Sequence, residues 1–184
     1  MQKCYYKHMM RVDSGKYKGR RLLENKYDNI RPTTDKVRQA LFVKLQFFLP
    51  DKNVLDLFCG TGAMGIEALS RGAGKVVFVD KDYRSVNMTK ENLRNLGIDQ
   101  KVFKCDAITF LMQCKECFDL IILDPPYKSG LYEKVLPIIY DKKLVSADGI
   151  VVCEHASGDE FYYGNFQVFD EKKYGNITLT YLKI

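Results

Sequence analysis

The sequence predicts an α/β fold in which a mostly parallel, Rossmann-like sheet ends in an antiparallel hairpin. Two short apolar runs without polar alternation, Asn53–Phe58 and Leu120–Leu123, are typical of strands buried on both faces beneath helices. A glycine-rich turn follows the first run and leads into a helix, as in nucleotide-binding sheets. Near the end of the chain, Phe166–Lys172 and Thr178–Lys183 flank the turn Tyr174-Gly175-Asn176, which predicts the hairpin.

Composition and length fit one globular domain. At 184 residues, of which 46% are hydrophobic, the chain can bury roughly 70% of its unfolded surface without disulfides or metal ions. The 6 cysteines are scattered, and neither a secretory signal nor an apolar run of membrane length is visible, so we expect a reduced, cytoplasmic location and no membrane partner. Cys114 and Cys117 form a lone C-x-x-C motif without a second pair of ligands, so we expect no metal site.

Positive charge is concentrated before the first predicted strand of the sheet. Residues 1–52 contain 13 Lys and Arg against 5 Asp and Glu, whereas residues 53–184 contain 16 against 18. We therefore divide the chain into a disordered tail at 1–8, a basic, RNA-facing hairpin and helix at 9–52, and a Rossmann-like domain at 53–184. A basic end indicates a polyanion partner such as RNA, while charge alone fits a solvated face equally well.

The basic part begins with a predicted small β-hairpin from Met9 to Leu23 that turns at Ser14-Gly15. Its cations can contact phosphates, and Tyr17 can stack on a base. The candidate RNA-binding residues are Arg11, Lys16, Lys18, Arg20, Arg21 and, in the loop that follows, Arg31.

A helix is predicted after this loop. The pair Thr33-Thr34 can cap it, and apolar residues recur at helical spacing from Val37 until Pro50 ends the pattern. Arg38 and Lys44 lie off the apolar stripe, so we interpret them as solvated charges.

The glycine-rich turn has the features of a nucleotide site. Gly60 and Gly62 let backbone approach a ligand without a Cβ in the way, and the N-terminus of the helix Ile66–Arg71 adds unpaired N–H groups. Asp80 ends the next strand, Lys75–Asp80, 20 residues after Gly60, where an acid can bind both ribose hydroxyls of an adenosine. By itself, the pattern G-T-G-A-M-G also satisfies the dinucleotide fingerprint.

Two further features favour S-adenosylmethionine over a dinucleotide. Asp56 lies four residues before Gly60, where its carboxylate can orient a methionine ammonium but would repel a diphosphate. The run Leu120–Leu123 ends in Asp124-Pro125-Pro126-Tyr127. If the Asp124 carboxylate and a proline carbonyl accept the two N–H bonds of a nucleobase amine, the delocalised lone pair turns toward an electrophile, and Tyr127 can stack on the base. Taken alone, these residues also fit a proline-stiffened turn with a surface tyrosine.

The remaining patterns complete the sheet and its helices. They predict a helix at Asp82–Leu96 stopped by Gly97, strands at Lys101–Lys104 and Ile150–Glu154, and helices at Ala107–Met112 and around Leu131–Tyr140, the last restricted by Pro137. Asp106 can accept from an adenine amino group or cap the helix that starts at Ala107, and the two roles are compatible. Glu154 and His155 fall at a carboxyl edge of the sheet, where they either touch substrate or are simply solvated.

These residues are similar to those of a known family. The stretch 54–73, V-L-D-L-F-C-G-T-G-A-M-G-I-E-A-L-S-R-G-A, together with Asp80, D-A at 106–107 and D-P-P-Y at 124–127, resembles methyltransferases that modify exocyclic amines of nucleobases. The segments G-K-Y-K-G-R-R-L (15–22), R-P-T-T-D-K-V-R-Q-A-L-F (31–42) and Y-G-N-I-T-L (174–179) resemble the RsmD family of bacterial 16S ribosomal RNA guanine-N(2) methyltransferases. The likeness covers residues 9–184.

The resemblance implies a class I methyltransferase fold with a seven-stranded sheet and S-adenosylmethionine as cofactor. It implies a guanine amine of small-subunit ribosomal RNA as the acceptor, in a partly or fully assembled subunit. It assigns base binding and activation to Asp124, Pro125, Pro126 and Tyr127. It assigns cofactor binding to Asp56, Gly60, Gly62, Asp80, Asp106 and Ala107, with the segment Arg31–Thr34 bordering both sites. Asp13 departs from the family pattern, which usually has an uncharged residue at this position.

Three other functions stay open on the sequence alone. The same loop chemistry suits a DNA adenine or a protein glutamine methyltransferase. The glycine turn also fits a nicotinamide dehydrogenase, but no histidine or Lys/Tyr pair offers itself as the acid–base partner of such an enzyme. A non-catalytic RNA-binding assembly factor would use the basic residues of 9–52 to bind RNA and would bind the cofactor without transferring a methyl group.

Overall fold

The structure, a computed structural model, describes residues 10–24 and 35–184. The predicted tail at residues 1–8, Arg31 and the capping pair Thr33-Thr34 lie outside these ranges. No helix in the described ranges is long and apolar enough to cross a bilayer. The strands found there are β1 (Asn53–Asp56), β2 (Lys75–Asp80), β3 (Lys101–Lys104), β4 (Phe118–Leu123), β5 (Val145–Ala156), β6 (Gln167–Tyr174) and β7 (Ile177–Lys183). The helices are α1 (Asp35–Lys44), α2 (Ala63–Ser70), α3 (Tyr83–Leu96), α4 (Ala107–Gln113) and α5 (Tyr132–Asp141).

These strands form one seven-stranded sheet in the order β3-β2-β1-β4-β5-β7-β6. β1 pairs in parallel with β2 and β4, and β3 and β5 extend the parallel part on either side. β7 runs antiparallel to β5, and β6 runs antiparallel to β7. The predicted Rossmann-like sheet with a closing antiparallel hairpin is therefore confirmed.

Successive residues of the central strands face two different layers of helices. Val54 of β1 and Ile122 of β4 belong to the core layer that contains Leu41 of α1. Leu55 and Ile121, the neighbours of these residues along the strands, belong to the opposite layer, which α4 and α5 cover. All five side chains are at most 1% exposed. The central strands have no polar alternation because both of their faces are buried.

The helix after the glycine turn packs directly against the sheet. A Cβ on Gly65 of α2 would lie 2.2 Å from Cε1 of Phe78 and 2.9 Å from Cγ1 of Val76, both on β2. Only a hydrogen fits there, so this glycine sets the close distance between helix and sheet. The ends predicted for the next helix are confirmed, because the Asp82 side chain caps α3 and Gly97, with φ 69°, ends it.

Residues 10–24, called the basic segment below, bend back on themselves and pack onto the sheet domain. Arg11 and Arg21 form a single antiparallel bridge, and main-chain hydrogen bonds of 2.8 to 3.0 Å join the two arms. Val12 and Leu22 are 2% and 3% exposed and join the core layer of α1. The predicted chain reversal is present, but its arms pair through one bridge and form no regular strands.

The interpretation of Arg38 as a solvated charge is wrong. Arg38 is 1% exposed, and its guanidinium pairs with Asp13 at 2.9 Å and with Asp35 at 3.0 Å. A buried cation needs such partners, and Asp13 brings one from the basic segment. Lys44 forms an ion pair with Asp170 of β6, so it links α1 to the edge of the sheet.

Candidate active site

Three carboxylates lie at the carboxyl edge of three adjacent parallel strands. Asp56 ends β1, Asp80 ends β2, and Asp124 directly follows β4. β1 lies between the other two strands, and the chain order reverses there. Open α/β sheets bind ligands in the crevice outside such a reversal point. The structure therefore brings together the acids that the sequence singled out.

The glycine turn, residues 59–62, is fixed by side chains of two neighbouring elements. The Gly60 N–H donates to Oδ2 of Asp80 at 2.9 Å, and the Gly60 carbonyl accepts from Oγ1 of Thr89 at 2.9 Å. Gly62 has φ 79°, and a Cβ on it would lie 2.8 Å from Cγ2 of Thr89. Gly60 has φ 53°, and beyond its chain neighbours no atom lies within 4 Å of the position that a Cβ would take, so its open side faces free space. The turn thus presents bare backbone at the start of α2.

Asp56 is a buried acid with an unusual ionisation. It is 3% exposed, and its Oδ2 accepts the Gly65 N–H at 2.9 Å. Burial raises the pKa of Asp56 from 3.8 to about 7; the Gly65 N–H opposes this, and the negative charges of Asp124 and Asp80 add to it. A positive ligand at this edge would offset the repulsion and favour the ionised form of Asp56.

Asp80 and Asp106 both use their carboxylates to hold backbone. Oδ2 of Asp80 binds the Gly60 N–H, and Oδ1 accepts the Asp82 N–H at 2.8 Å. Each carboxylate oxygen has a second lone pair for a ligand. Oδ1 of Asp106 accepts the N–H groups of residues 108 and 109, so the capping role predicted for Asp106 at the start of α4, next to Ala107, is confirmed. Within residues 10–24 and 35–184, no group of three or more His, Cys, Asp or Glu is arranged to hold a metal ion.

Pro125, Pro126 and Tyr127, which directly follow Asp124, form one wall of a cavity of about 280 Å³. The loop after β5 forms the opposite wall. Tyr127 is 45% exposed, at the rim. The cavity is lined by Pro125, Pro126, Tyr127, Lys128, Ser129, Gly130, Tyr132, Glu133, Glu154, His155, Gly158, Asp159, Glu160 and Phe161.

Tyr132 joins the two walls of this cavity, and no sequence motif pointed to this role. Its hydroxyl donates to the Glu154 carbonyl at 2.5 Å and lies 3.3 Å from the Leu123 carbonyl, directly before Asp124. Its ring stacks on Phe161 with centroids 4.3 Å apart. Burial raises the pKa of Tyr132 well above its ordinary value, so the hydroxyl keeps the proton that it donates.

The alternative that Glu154 and His155 are solvated is wrong. They are 2% and 6% exposed, although both line the cavity. The His155 ring uses Nε2 to bond Oγ1 of Thr180 at 2.8 Å and Nδ1 to bond the Ala156 carbonyl at 3.0 Å. His155 therefore connects β5 to β7.

The candidate RNA-binding residues lie on the exposed side of the basic segment, apart from Arg31, which is outside the described residues. Two of them also brace the fold: Arg11 donates to the Gly19 carbonyl at 2.9 Å and Arg20 to the Asn95 carbonyl at 2.8 Å. The Lys16 ammonium lies 5.3 Å from the centroid of the Tyr17 ring. Lys18 and Arg21 are exposed as well.

The strand order, the glycine turn and the strand-end acids define the class I fold of the S-adenosylmethionine-dependent methyltransferases. Residues 10–183 match the family model described as "Conserved hypothetical protein 95". The chain belongs to this family, the RsmD family that its sequence resembles.

Individual relatives agree with this assignment. YlbH of Bacillus subtilis (strain 168), named as a candidate rRNA methyltransferase, is 38% identical over 151 residues, which cover 79% of this chain and 82% of YlbH. Ribosomal RNA small subunit methyltransferase D of Escherichia coli (strain K12) is 32% identical over 146 residues, which cover 79% of this chain and 74% of that protein. The solved structure of yhhF from Escherichia coli, described as a candidate methyltransferase, is 30% identical, with a TM-score of 0.85 over 95% of this chain and 98% of yhhF.

Proposed function

We propose that this protein transfers a methyl group from S-adenosylmethionine to the exocyclic N2 amine of a guanine in 16S ribosomal RNA of the small subunit. One observation carries the proposal: Asp124 follows the end of β4, beside Asp56, and the next three residues, Pro125–Tyr127, line a cavity of about 280 Å³. A base in that cavity would share the loop with a cofactor in the crevice at β1. The names of the relatives support ribosomal RNA as the acceptor.

The cofactor would lie along the carboxyl edge of β1, β2 and β3. The open side of Gly60 accommodates its methionine end near Asp56, and the remaining lone pairs of Asp80 suit the two ribose hydroxyls. Oδ2 of Asp106, which makes neither of the two capping bonds, suits the adenine amino group. The proposed cofactor-binding residues are Asp56, Gly60, Gly62, Asp80, Asp106 and Ala107.

Asp124 and the following prolines supply the chemistry on the acceptor side. The Asp124 carboxylate and a backbone carbonyl of the Pro125–Pro126 segment accept the two N–H bonds of the amine, so its lone pair leaves the plane of the base and points at the methyl carbon. Bound S-adenosylmethionine supplies that carbon on a positively charged sulfur. The sulfonium would take up the electron pair of the C–S bond that breaks as the N–C bond forms, and Asp124 or water would accept the amine proton. Tyr127 stacks on the base and keeps it in line.

The basic segment would hold the RNA while the target base leaves its stack. Its exposed cations contact phosphates, which carry the sequence-independent part of RNA affinity. Flipping the base costs a few kcal/mol, and stacking in the cavity offsets part of it. The proposed RNA contacts are Arg11, Lys16, Lys18, Arg20, Arg21 and Arg31, with the RNA in a partly or fully assembled subunit in the cytoplasm.

The alternatives differ in the acceptor or in the chemistry. Guanine is supported by the likeness of residues 15–22, 31–42 and 174–179 to the RsmD family, whereas the loop chemistry alone fits DNA adenine and protein glutamine as well. Membership of a methyltransferase family counts against a nicotinamide dehydrogenase. A non-catalytic assembly factor would bind the cofactor and RNA without methyl transfer.

The test is methyl transfer by purified protein, with tritiated S-adenosylmethionine and small-subunit particles, rRNA, DNA or protein as acceptors. We expect label in rRNA, loss of nearly all transfer in Asp124→Ala, and an unchanged affinity of that variant for S-adenosylhomocysteine. Asp99→Ala, at an exposed position after α3, is the control and keeps full activity. Transfer at the wild-type rate by Asp124→Ala would refute the role of the loop.

A further inference from the structure

Asn92 joins the basic segment to the glycine turn. Its Oδ1 accepts the Leu23 N–H at 2.7 Å, and its Nδ2 donates to the Thr61 carbonyl at 2.9 Å. One amide group therefore bonds both parts at once. Asn92 is 1% exposed, so water does not compete for these bonds.

The other strong anchors of the basic segment do not reach the glycine turn. The N–H groups of Asp13 and Ser14 donate to the Glu67 carboxylate at 2.8 and 3.1 Å, and the Tyr17 N–H donates to Oγ of Ser70 at 2.9 Å. Glu67 and Ser70 both belong to α2. These bonds fix the middle of the basic segment to the sheet domain, while Asn92 fixes its end at Leu23.

A second contact joins the start of the basic segment to the same turn residue. Oγ1 of Thr61 lies 3.9 Å from the sulfur of Met10. A hydroxyl–thioether bond of this length is weak. Thr61 is thus linked to both ends of the basic segment. It contacts Met10 directly at one end, and Asn92 connects it to Leu23 at the other.

The turn residue that Asn92 holds lies between the two glycines proposed to bind the cofactor. Thr89, three residues before Asn92 and on the same face of α3, binds the Gly60 carbonyl at 2.9 Å. Side chains of one helix face therefore hold two successive carbonyls of the turn. Because each peptide plane is rigid, fixing these carbonyls also sets the direction of the neighbouring N–H groups.

We propose that Asn92 is a positioning residue that couples RNA binding on the basic segment to cofactor binding at the glycine turn. The identities of the two ligands rest on the proposed function. RNA and the cofactor both need the Leu23–Asn92–Thr61 contact to be ordered. The ligand that binds first orders this contact, so the ligand that binds second loses less entropy and binds more tightly. The coupling is reciprocal, and each ligand raises the affinity for the other by the same factor.

The experiment measures S-adenosylhomocysteine binding to the whole protein by calorimetry, with and without a 16S rRNA transcript. In the wild type we expect the transcript to tighten binding about 5-fold or more. Asn92→Asp keeps an oxygen for the Leu23 N–H but loses the donor to Thr61. We expect this variant to bind S-adenosylhomocysteine more weakly and to show no effect of the transcript. Asn87→Asp makes the same chemical change at an exposed position of α3 and should behave as the wild type.

Two further measurements keep the test decisive if Asn92→Asp does not fold. Asn92→Leu removes these two hydrogen bonds, and the 3.4 Å bond from Nδ2 to the Leu23 carbonyl, without adding a charge, and it should also abolish the coupling. In the unmodified protein, S-adenosylhomocysteine should slow hydrogen exchange at the Leu23 amide. Unchanged exchange there, or wild-type coupling in a folded Asn92 variant, overturns the proposal. None of these readouts requires methyl transfer, so a failure of the proposed reaction would be seen separately.

Discussion

Replacing Asp56 by asparagine should stabilise the unliganded protein at alkaline pH. The folded protein raises the pKa of Asp56 from 3.8 to about 7, mainly because the side chain is buried. The folded state therefore binds this proton more tightly than the unfolded chain does. The protonated Asp56 side chain therefore adds to the unfolding free energy. This contribution is fully present below about pH 4 and is lost as the pH rises to about 7.

The size of the effect follows from the two pKa values. The difference between 3.8 and about 7 corresponds to about 4 kcal/mol of unfolding free energy, at 1.36 kcal/mol per pH unit. Asparagine carries no charge, and its Oδ1 can still accept the Gly65 N–H, which Asp56 now accepts at 2.9 Å. Asp56→Asn should therefore match the wild type near pH 4 and exceed it by up to about 4 kcal/mol above pH 7. For a chain of this size this corresponds to an increase of about 8 to 16 °C in melting temperature.

The assay is scanning calorimetry of the unliganded protein across this pH range. Asp99→Asn, at an exposed position, is the control and should follow the wild type at every pH. A stability difference between Asp56→Asn and the wild type that does not change with pH would show that the ionisation of Asp56 does not cause it. If Asp56 also orients the methionine ammonium, the more stable variant should bind S-adenosylhomocysteine more weakly.

Three further substitutions test other parts of the account. Tyr132→Phe removes the hydroxyl that bonds the Glu154 carbonyl at 2.5 Å and lies 3.3 Å from the Leu123 carbonyl. Because this hydroxyl braces the start of the loop that carries Asp124, kcat should fall about 10-fold or more with unchanged cofactor affinity in steady-state assays. Equal loss of cofactor affinity would contradict this. Asp13→Asn leaves the buried Arg38 one ion pair short, so urea unfolding should show a loss of about 1–3 kcal/mol, and an unchanged midpoint would argue against it. Arg21→Ala should lower the slope of log K against log salt for RNA by roughly 0.7 to 0.9 in a titration series; an unchanged slope would exclude this phosphate contact.

The carboxyl edge of the sheet could be predicted from the sequence because its signals are local. Each acid of the site directly ends or follows a short buried run: Asp56 after Val54-Leu55, Asp80 after Val76–Val79, and Asp124 after Leu120–Leu123. In a parallel sheet the carboxyl ends of the strands lie at one edge, independently of the conformation of the connecting loops. The spacing of the glycines likewise fixes a turn between strand and helix.

The partners of buried polar groups could not be predicted, because they come from distant parts of the chain. The local sequence around Arg38 predicts an exposed side chain, but Arg38 is buried because it pairs with Asp13, 25 residues earlier. His155 is buried by its bond to Thr180, 25 residues later. Asn92 is one of several polar residues on an amphipathic helix, and only the fold shows that it meets two separate segments. The loop after β5, which forms the second wall of the cavity, likewise carries no motif, because contacts between distant parts of the chain place it there.

Guanine methylation by the Asp124 loop is tested in cells by mass mapping of 16S ribosomal RNA. The cells lack the gene and are complemented with the wild type, with Asp124→Ala or with an empty vector. We predict that one guanine carries a methyl group on N2 with the wild type and is unmodified with Asp124→Ala and with the vector. A modification pattern that is the same in all three strains would contradict the account.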